Sequence, residues 1–307
     1  MDTLKSCGES VLNVRPSAEA EEKRVVAYFE STALNWHTMY SRADLWGEIH
    51  QQRLARFLAW VDELSLPEGT RAGDIGCGAG LATVALAQRG FFVEATDVAS
   101  SMIELAQKNA KTAGMTHRVH ADVGDIYRLG FPDEEFGLVL SIGVIPWLQF
   151  PAQAIAELAR ILKPGGYLLF TADNRWRLAR LLDPWTSPFL SPVKLLLKKI
   201  FSVSRKSPTA QNGANSYRHS IHEVDAFLAK AGLERVRLQM LGFGPFTFFY
   251  RNILPEKIAV IVHRALQRLV DLRFALLGST GSQFLLLARK RAVEKAYPTT
   301  PRRAKKD

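Results

Sequence analysis

Two groups of residues in this chain have the types and spacing to do chemistry together. One is the turn Gly73-Asp74-Ile75-Gly76-Cys77-Gly78-Ala79-Gly80, and the other is Asp97, 17 residues beyond Gly80 at the end of an apolar run. Glycines let the backbone approach a ligand closely and take positive φ without a Cβ penalty. A helix opening near Leu81 would present unpaired N–H groups, and an acid about 20 residues on can accept both hydroxyls of a ribose. The order reads as buried strand, glycine turn, helix, second strand and acidic tip. That is how an α/β sheet holds an adenine nucleoside.

The elements that must position these residues follow from the apolar pattern. Strands are predicted over 71–75, 91–96, 117–122, 136–141 and 167–172, with helices over 80–89, 100–113 and 151–162 between them. Strands alternating with helices of this length specify a mostly parallel sheet with helices on both faces. A helical, aromatic-rich segment precedes them over 17–66, and residues 1–16 read as disordered. After Ala172 the alternation breaks into an insert over 173–216. It contains a basic amphipathic piece, Val193 to Arg205, with Val193, Leu196, Leu197, Ile200 and Phe201 on one helical face and Lys194, Lys198 and Lys199 beside it. Helix 220–231 and strand 233–241 follow. A second insert, 243–279, carries a helix from Pro255 to Leu277 with Ile258, Val262, Ala265, Leu266 and Leu269 as its apolar positions. Strand 282–289 closes a single domain over 17–289, and 290–307 reads as a basic disordered tail.

Five segments, in order, resemble the class I S-adenosylmethionine-dependent methyltransferases, especially the branch that includes quinone-biosynthesis enzymes. They are Asp74–Gly80, Thr96-Asp97-Val98-Ala99-Ser100-Ser101-Met102, and Gly124-Asp125-Ile126 ahead of Leu129-Gly130-Phe131-Pro132-Asp133. The others are Phe136-Gly137-Leu138-Val139-Leu140-Ser141 and Leu158-Ala159-Arg160-Ile161-Leu162-Lys163-Pro164-Gly165-Gly166. The resemblance implies a Rossmann-like seven-stranded sheet whose last strand, 282–289, is antiparallel and inserted beside its neighbour. It also implies S-adenosylmethionine as cofactor. The competing reading, a nicotinamide dehydrogenase, wants Gly-x-Gly-x-x-Gly after the first strand. Here the third glycine comes too early. Asp74 would also repel a pyrophosphate, whereas it can pair with the α-ammonium of the methionine part.

The resemblance then assigns the cofactor site residue by residue. Asp74 lies at the methionine end, and Gly76, Cys77, Gly78 and Gly80 form the backbone cradle. Asp97, with Val98 beside it, takes the ribose, and Met102 packs on the adenine. Asp125 accepts from the adenine amino group while the Ile126 N–H donates to the ring; Asp122 is the nearby competitor. Ser141 and Ile142 lie beside the methionine portion. Tyr28, Phe29, Trp36 and Tyr40 resemble the lid these enzymes lay over the cofactor, where aromatic faces attract the sulfonium. No metal is expected.

Methyl transfer is an in-line displacement, so the protein supplies alignment, desolvation and, for an oxygen acceptor, a base. Acceptor candidates are Pro146 and Trp147 after strand four, where related enzymes often carry His-His, and Tyr217 before helix 220–231. His219 is the favoured base, with Asp173 and Asn174 after strand five as further catalytic candidates. The stretch Thr171-Ala172-Asp173-Asn174-Arg175 ahead of a basic insert is similar to the ubiquinone O-methyltransferase group, which has a membrane-contacting insert there.

Charge bears on the partner. The net charge of +10 conceals an asymmetry: residues 175–307 hold 25 Lys/Arg and 8 Asp/Glu, a balance of +17, leaving −7 on 1–174. A basic half points to an anionic partner. Lysines beside an apolar helical face over 193–205 suit an anionic membrane surface. Nucleic-acid methylation is the alternative for the basic half, but Ile145-Pro146-Trp147-Leu148 stands where amino-group nucleic-acid methylases carry Asn-Pro-Pro-Tyr-like residues. A non-catalytic cofactor-binding protein is a third reading. Two cysteines, Cys7 and Cys77, give no disulfide framework. With no signal peptide and no run of roughly 18 apolar residues, the expectation is a cytoplasmic enzyme, peripheral on the membrane, that O-methylates a lipophilic small molecule.

Overall fold

The computed structural model describes residues 17–189, 216–249, 251–272, 274 and 277–292. The expectations for 1–16, for the amphipathic piece 193–205 and for the tail beyond 292 lie outside the described residues. Two helices come first, α1 (Ala18–Met39) and α2 (Leu45–Glu63), each entered through a side-chain cap: Ser17 accepts from the Ala20 N–H and Asp44 from the Gly47 N–H. Then follow β1 (Arg71–Ile75), α3 (Leu81–Ala87), β2 (Phe92–Asp97), α4 (Ser100–Thr112), β3 (Val119–Val123) and β4 (Phe136–Ser141). A 3-10 turn (Ile145–Trp147), α5 (Pro151–Ile161) and β5 (Leu162–Asp173) complete the parallel part. The chain ends with α6 (Leu178–Leu182), α7 (Ile221–Lys230), β6 (Leu233–Leu241), a two-residue-per-strand hairpin β7 (Thr247–Phe248) and β8 (Arg251–Asn252), α8 (Glu256–Asp271) and β9 (Gln283–Lys290).

The seven-stranded sheet has the order β3-β2-β1-β4-β5-β9-β6. β9 runs antiparallel to both β5 and β6, between which it is inserted. Period-two alternation builds a core on each face. Phe170, Phe284 and Leu286 pack with α5 and α7 on one side, while Leu169, Leu285 and Leu287 pack with α2 and α3 on the other.

Two elements differ from the sequence reading. The Lys163-Pro164-Gly165-Gly166 turn sits inside β5: Phe136 pairs with Leu162 and Leu138 with Tyr167, so these four residues loop out opposite Gly137. Gly165, at φ +78°, makes the bend. Helix α8 is shorter than 255–277 and turns its expected apolar side outward. Ile258 and Leu269 are exposed, and the buried positions are Ala259, His263 and Gln267. The polar pair satisfies backbone groups at the end of β6: the Phe243 N–H donates to His263 Nδ1 at 3.0 Å and the Gly242 N–H to Gln267 Oε1 at 3.1 Å. Buried backbone N–H groups left unpaired are costly, and this requirement outweighs the helix's own apolar stripe. Among the described residues, no helix is long and apolar enough to cross a membrane.

Candidate active site

The strand order reverses between β1 and β4, so the chains leaving their C-terminal ends diverge and open a crevice. A cavity of about 1020 Å³ lies there, roofed by α1 and α2. Pockets of roughly 300–1,000 Å³ take one drug-sized ligand, so this volume has room for two molecules.

The glycine turn folds onto the tip of β2, where the Thr96 carbonyl accepts from the Gly76 N–H at 2.7 Å and the Cys77 N–H at 2.9 Å. The glycines do different work. Gly78, at φ +54°, lines the cavity, and a Cβ there would meet nothing within 4 Å. Its bare backbone is the cradle. Gly80, at φ +74°, does not line the cavity; a Cβ would lie 2.7 Å from the Ala106 Cβ, so its role is to let α4 approach. Asp97 closes the turn, its Oδ2 accepting from the Gly78 N–H at 2.9 Å and its Oδ1 from the Ala99 N–H at 3.0 Å. Burial raises the Asp97 pKa against the pull of those bonds.

Asp74, 1% exposed, accepts from the Thr83 hydroxyl at 2.6 Å, which ties β1 to the first turn of α3. Burial, with Asp97 adding to it, pushes its pKa up to about 6. Cys77 lines the same wall, and burial pushes its thiol well above its ordinary value, so it stays protonated.

Val98, Met102, Asp125 and Ile126 line the far wall, while the competitor Asp122 does not. Asp125 is steadied by the Tyr127 N–H at 2.9 Å. Tyr28, Phe29, Trp36 and Tyr40 form the roof. Tyr28 and Phe29 close on Trp147, with ring centroids 5.5 and 5.2 Å away. Glu30 fastens this roof: its carboxylate accepts from the Ser100 and Ser101 N–H groups at 2.6 and 3.1 Å, an anion at the N-terminus of α4.

Of the residues set beside the methionine portion and the acceptor, only some reach the cavity. Ile142, Pro146, Trp147 and Asp173 line the cavity; Ser141, Asn174, Tyr217 and His219 do not. Ser141 is fully buried within the sheet. Asn174 is a staple, donating to the Ser279 and Gly281 carbonyls at 2.8 Å each and accepting from the Trp176 N–H. Residues 216–219 run extended beside β5, where the His219 N–H donates to the Asp173 carbonyl at 2.8 Å. Side chains alternate along such a segment. Ser216 and Arg218 accordingly line the cavity while Tyr217 and His219 do not, and the His219 ring packs against Phe227.

Sequence reasoning missed the basic residues here. Arg53 reaches in from α2 with Nη2 on the Tyr40 hydroxyl at 3.0 Å and Nη1 on Gln283 at 3.4 Å, leaving Nε buried and unpaired. Arg177 and Arg218 flank Asp173, whose pKa burial raises in spite of all three arginines. His50 lines the cavity too, its Nδ1 donating to the Trp46 carbonyl at 2.7 Å. Burial and Arg53 lower it to about 3, which keeps it neutral.

Residues 73–170 match the family described as Methyltransferase domain. A ubiquinone biosynthesis O-methyltransferase of Paracidovorax citrulli is 30% identical over 150 residues, which span 49% of this chain and 61% of that protein. Its namesake from Thiobacillus denitrificans is 26% identical over 228 residues, 74% of this chain and 89% of that one. The chain is an S-adenosylmethionine-dependent methyltransferase, similar to the class I enzymes. The fold agrees: magnesium protoporphyrin IX methyltransferase from Synechocystis, solved with S-adenosylhomocysteine, superposes with a TM-score of 0.59 at 19% identity, covering 88% of this chain and 99% of that one.

The residues present fit the methyltransferase's cofactor. An open cradle at Gly78, a fixed carboxylate at Asp97, a buried acid at Asp74 and an unpaired Arg53 Nε match a ribose and a zwitterionic amino acid. Asp74 gives a pH test. Its folded pKa lies above the ordinary 3.8, so the ionised form burdens the fold above pH about 6 and that burden disappears as pH falls toward 3.8. An ammonium beside it favours ionisation. Cofactor affinity should therefore rise about tenfold from roughly pH 5 to pH 7, and calorimetry on Asp74→Asn should show that slope abolished.

Proposed function

We propose that this methyltransferase methylates an oxygen of an amphiphilic small molecule at the cytoplasmic membrane face. The observation that carries it is a cavity joining the glycine cradle to a half walled by Pro146 and Trp147, with the Asp173 carboxylate in its lining. When bound, S-adenosylmethionine supplies a methyl group and leaves as a neutral thioether that keeps the carbon–sulfur electron pair. Asp97 and the Gly78 backbone hold the nucleoside, while Asp74 and Arg53 hold the ammonium and carboxylate of the methionine part. The roof of Tyr28, Phe29 and Trp36 excludes water and faces the sulfonium. Asp173 accepts the proton that an acceptor hydroxyl loses as its oxygen forms the new bond to carbon.

The relatives' names support oxygen as the atom methylated. The membrane part is supported by the charge of residues 175–307 and by α8, whose exposed Ile258, Ile261 and Leu269 stand beside Lys257 and Arg268. An amphipathic face rimmed by cations suits an anionic interface.

The experiment is labelling. Enzyme and methyl-labelled cofactor are incubated with lipid and aqueous extracts, and products are read by mass spectrometry. An O-methylated, lipid-soluble product is expected; label confined to RNA would replace this reading with its nucleic-acid alternative. Flotation with vesicles containing phosphatidylglycerol is expected to carry the protein upward and to fail when Lys257, Ile261 and Arg268 are all changed to Glu. Unchanged flotation removes α8 from the contact.

A further inference from the structure

The acceptor half of the cavity holds more positive charge than methyl transfer uses. Arg177 follows the end of β5 by four residues, and Arg218 arrives on the extended segment that His219 ties to Asp173. Both line the cavity, and the Nε of each is buried without a hydrogen-bond partner. Neither makes an ion pair within 4.0 Å with a described residue. Arg53 differs, being held by Tyr40 and Gln283, and Arg180 donates to the Arg175 carbonyl. Burial, and then repulsion from Arg218, brings Arg177 down to about 10. Among the described residues Asp173 is the one carboxylate that acts on the Arg177 charge, and burial raises its own pKa, so it offsets at most one of the two cations. Both side chains are half-buried with their Nε atoms shut off from solvent, and such partly desolvated charges favour a partner; a planar guanidinium fork matches a carboxylate or phosphate bidentately.

We infer that Arg177 and Arg218 bind an oxyanion carried by the acceptor, a carboxylate or a phosphate, and so select an acidic amphiphile over a neutral one. The inference rests on the reading above that this half of the cavity receives the acceptor. The ring walls Pro146 and Trp147 take the apolar body, the arginine pair takes the anionic group, and Asp173 feels both the pair and Arg53.

Calorimetry on the full chain saturated with S-adenosylhomocysteine tests it, using three probes of one shape: para-hexylbenzoate, para-hexylphenyl phosphate and para-hexylphenol. Near neutral pH the first two are anions and the phenol is neutral. At least one anion should bind about tenfold or more tighter than the phenol, the yield of one charge-assisted hydrogen bond. Which anion it is distinguishes a carboxylate acceptor from a phosphate one. The preference should vanish in the R177Q/R218Q double variant and persist in part in R177K, while S-adenosylhomocysteine binding stays unchanged in both. A phenol that binds as tightly as either anion, three probes that all fail to bind, or a preference that survives in R177Q/R218Q overturns the inference. Failure of the wild-type chain to bind S-adenosylhomocysteine at all would instead sink the cofactor reading beneath it.

Discussion

Asp97→Ala is expected to weaken S-adenosylhomocysteine binding by about 100-fold or more. A carboxylate accepting from two ribose hydroxyls makes two charge-assisted bonds, each worth roughly 1.5–3 kcal/mol. The same oxygens hold the Gly78 and Ala99 N–H groups, so truncation also loosens the cradle that meets the ligand. Asp97→Asn keeps an acceptor oxygen but loses the charge, and should fall between, at about a tenfold loss. Titration calorimetry on both variants is the check, with a thermal melt confirming that they fold. Affinity within about threefold of wild type in the alanine variant would remove Asp97 from the ribose site.

Most residues that the sequence set on the donor side line the cavity, Gly80 and Ser141 excepted, because their geometry is local. Strand β1, its glycines, helix α3 and Asp97 lie within thirty residues, and each step is dictated by a glycine, a helix start or a strand end. Even the choice of Asp125 over Asp122 follows from the short run between β3 and β4. The acceptor side was not legible, for two physical reasons. One is parity: along 216–219 a shift of one residue exchanges Arg218 for His219 in the cavity, and nothing in the local sequence reports the register against β5. The other is distance in the chain. Arg53 meets Gln283 across 230 residues, and Glu30 caps α4 across 70. Helix α8 shows the same limit in its packing. Its apolar period is correct, but His263 and Gln267 are drawn inward by N–H groups of Gly242 and Phe243 that become donors in need only once β6 has ended beside them.

Asp173→Asn should lower kcat by about 100-fold on a hydroxyl acceptor, the lower end of what a positioned general base contributes, with cofactor affinity unchanged. His50 is a poor substitute, since a group at about 3 holds a proton weakly. His219→Ala should leave kcat near wild type, because that ring packs on Phe227 outside the cavity. The pH dependence follows from the direction of the shift. Burial holds the Asp173 pKa above the ordinary 3.8, so the base form accumulates only as pH climbs through that raised value. Turnover should rise with pH there and then level, and the asparagine variant should lose that limb. The variant also removes the negative charge beside Arg177 and Arg218, so it should bind the preferred anionic hexyl probe more tightly while turning over more slowly. These opposite movements separate a base from a structural prop, since a residue that merely held the cavity together would weaken both. A kcat within about threefold of wild type would exclude Asp173 as the proton acceptor and leave it as the counter-charge of the arginine pair.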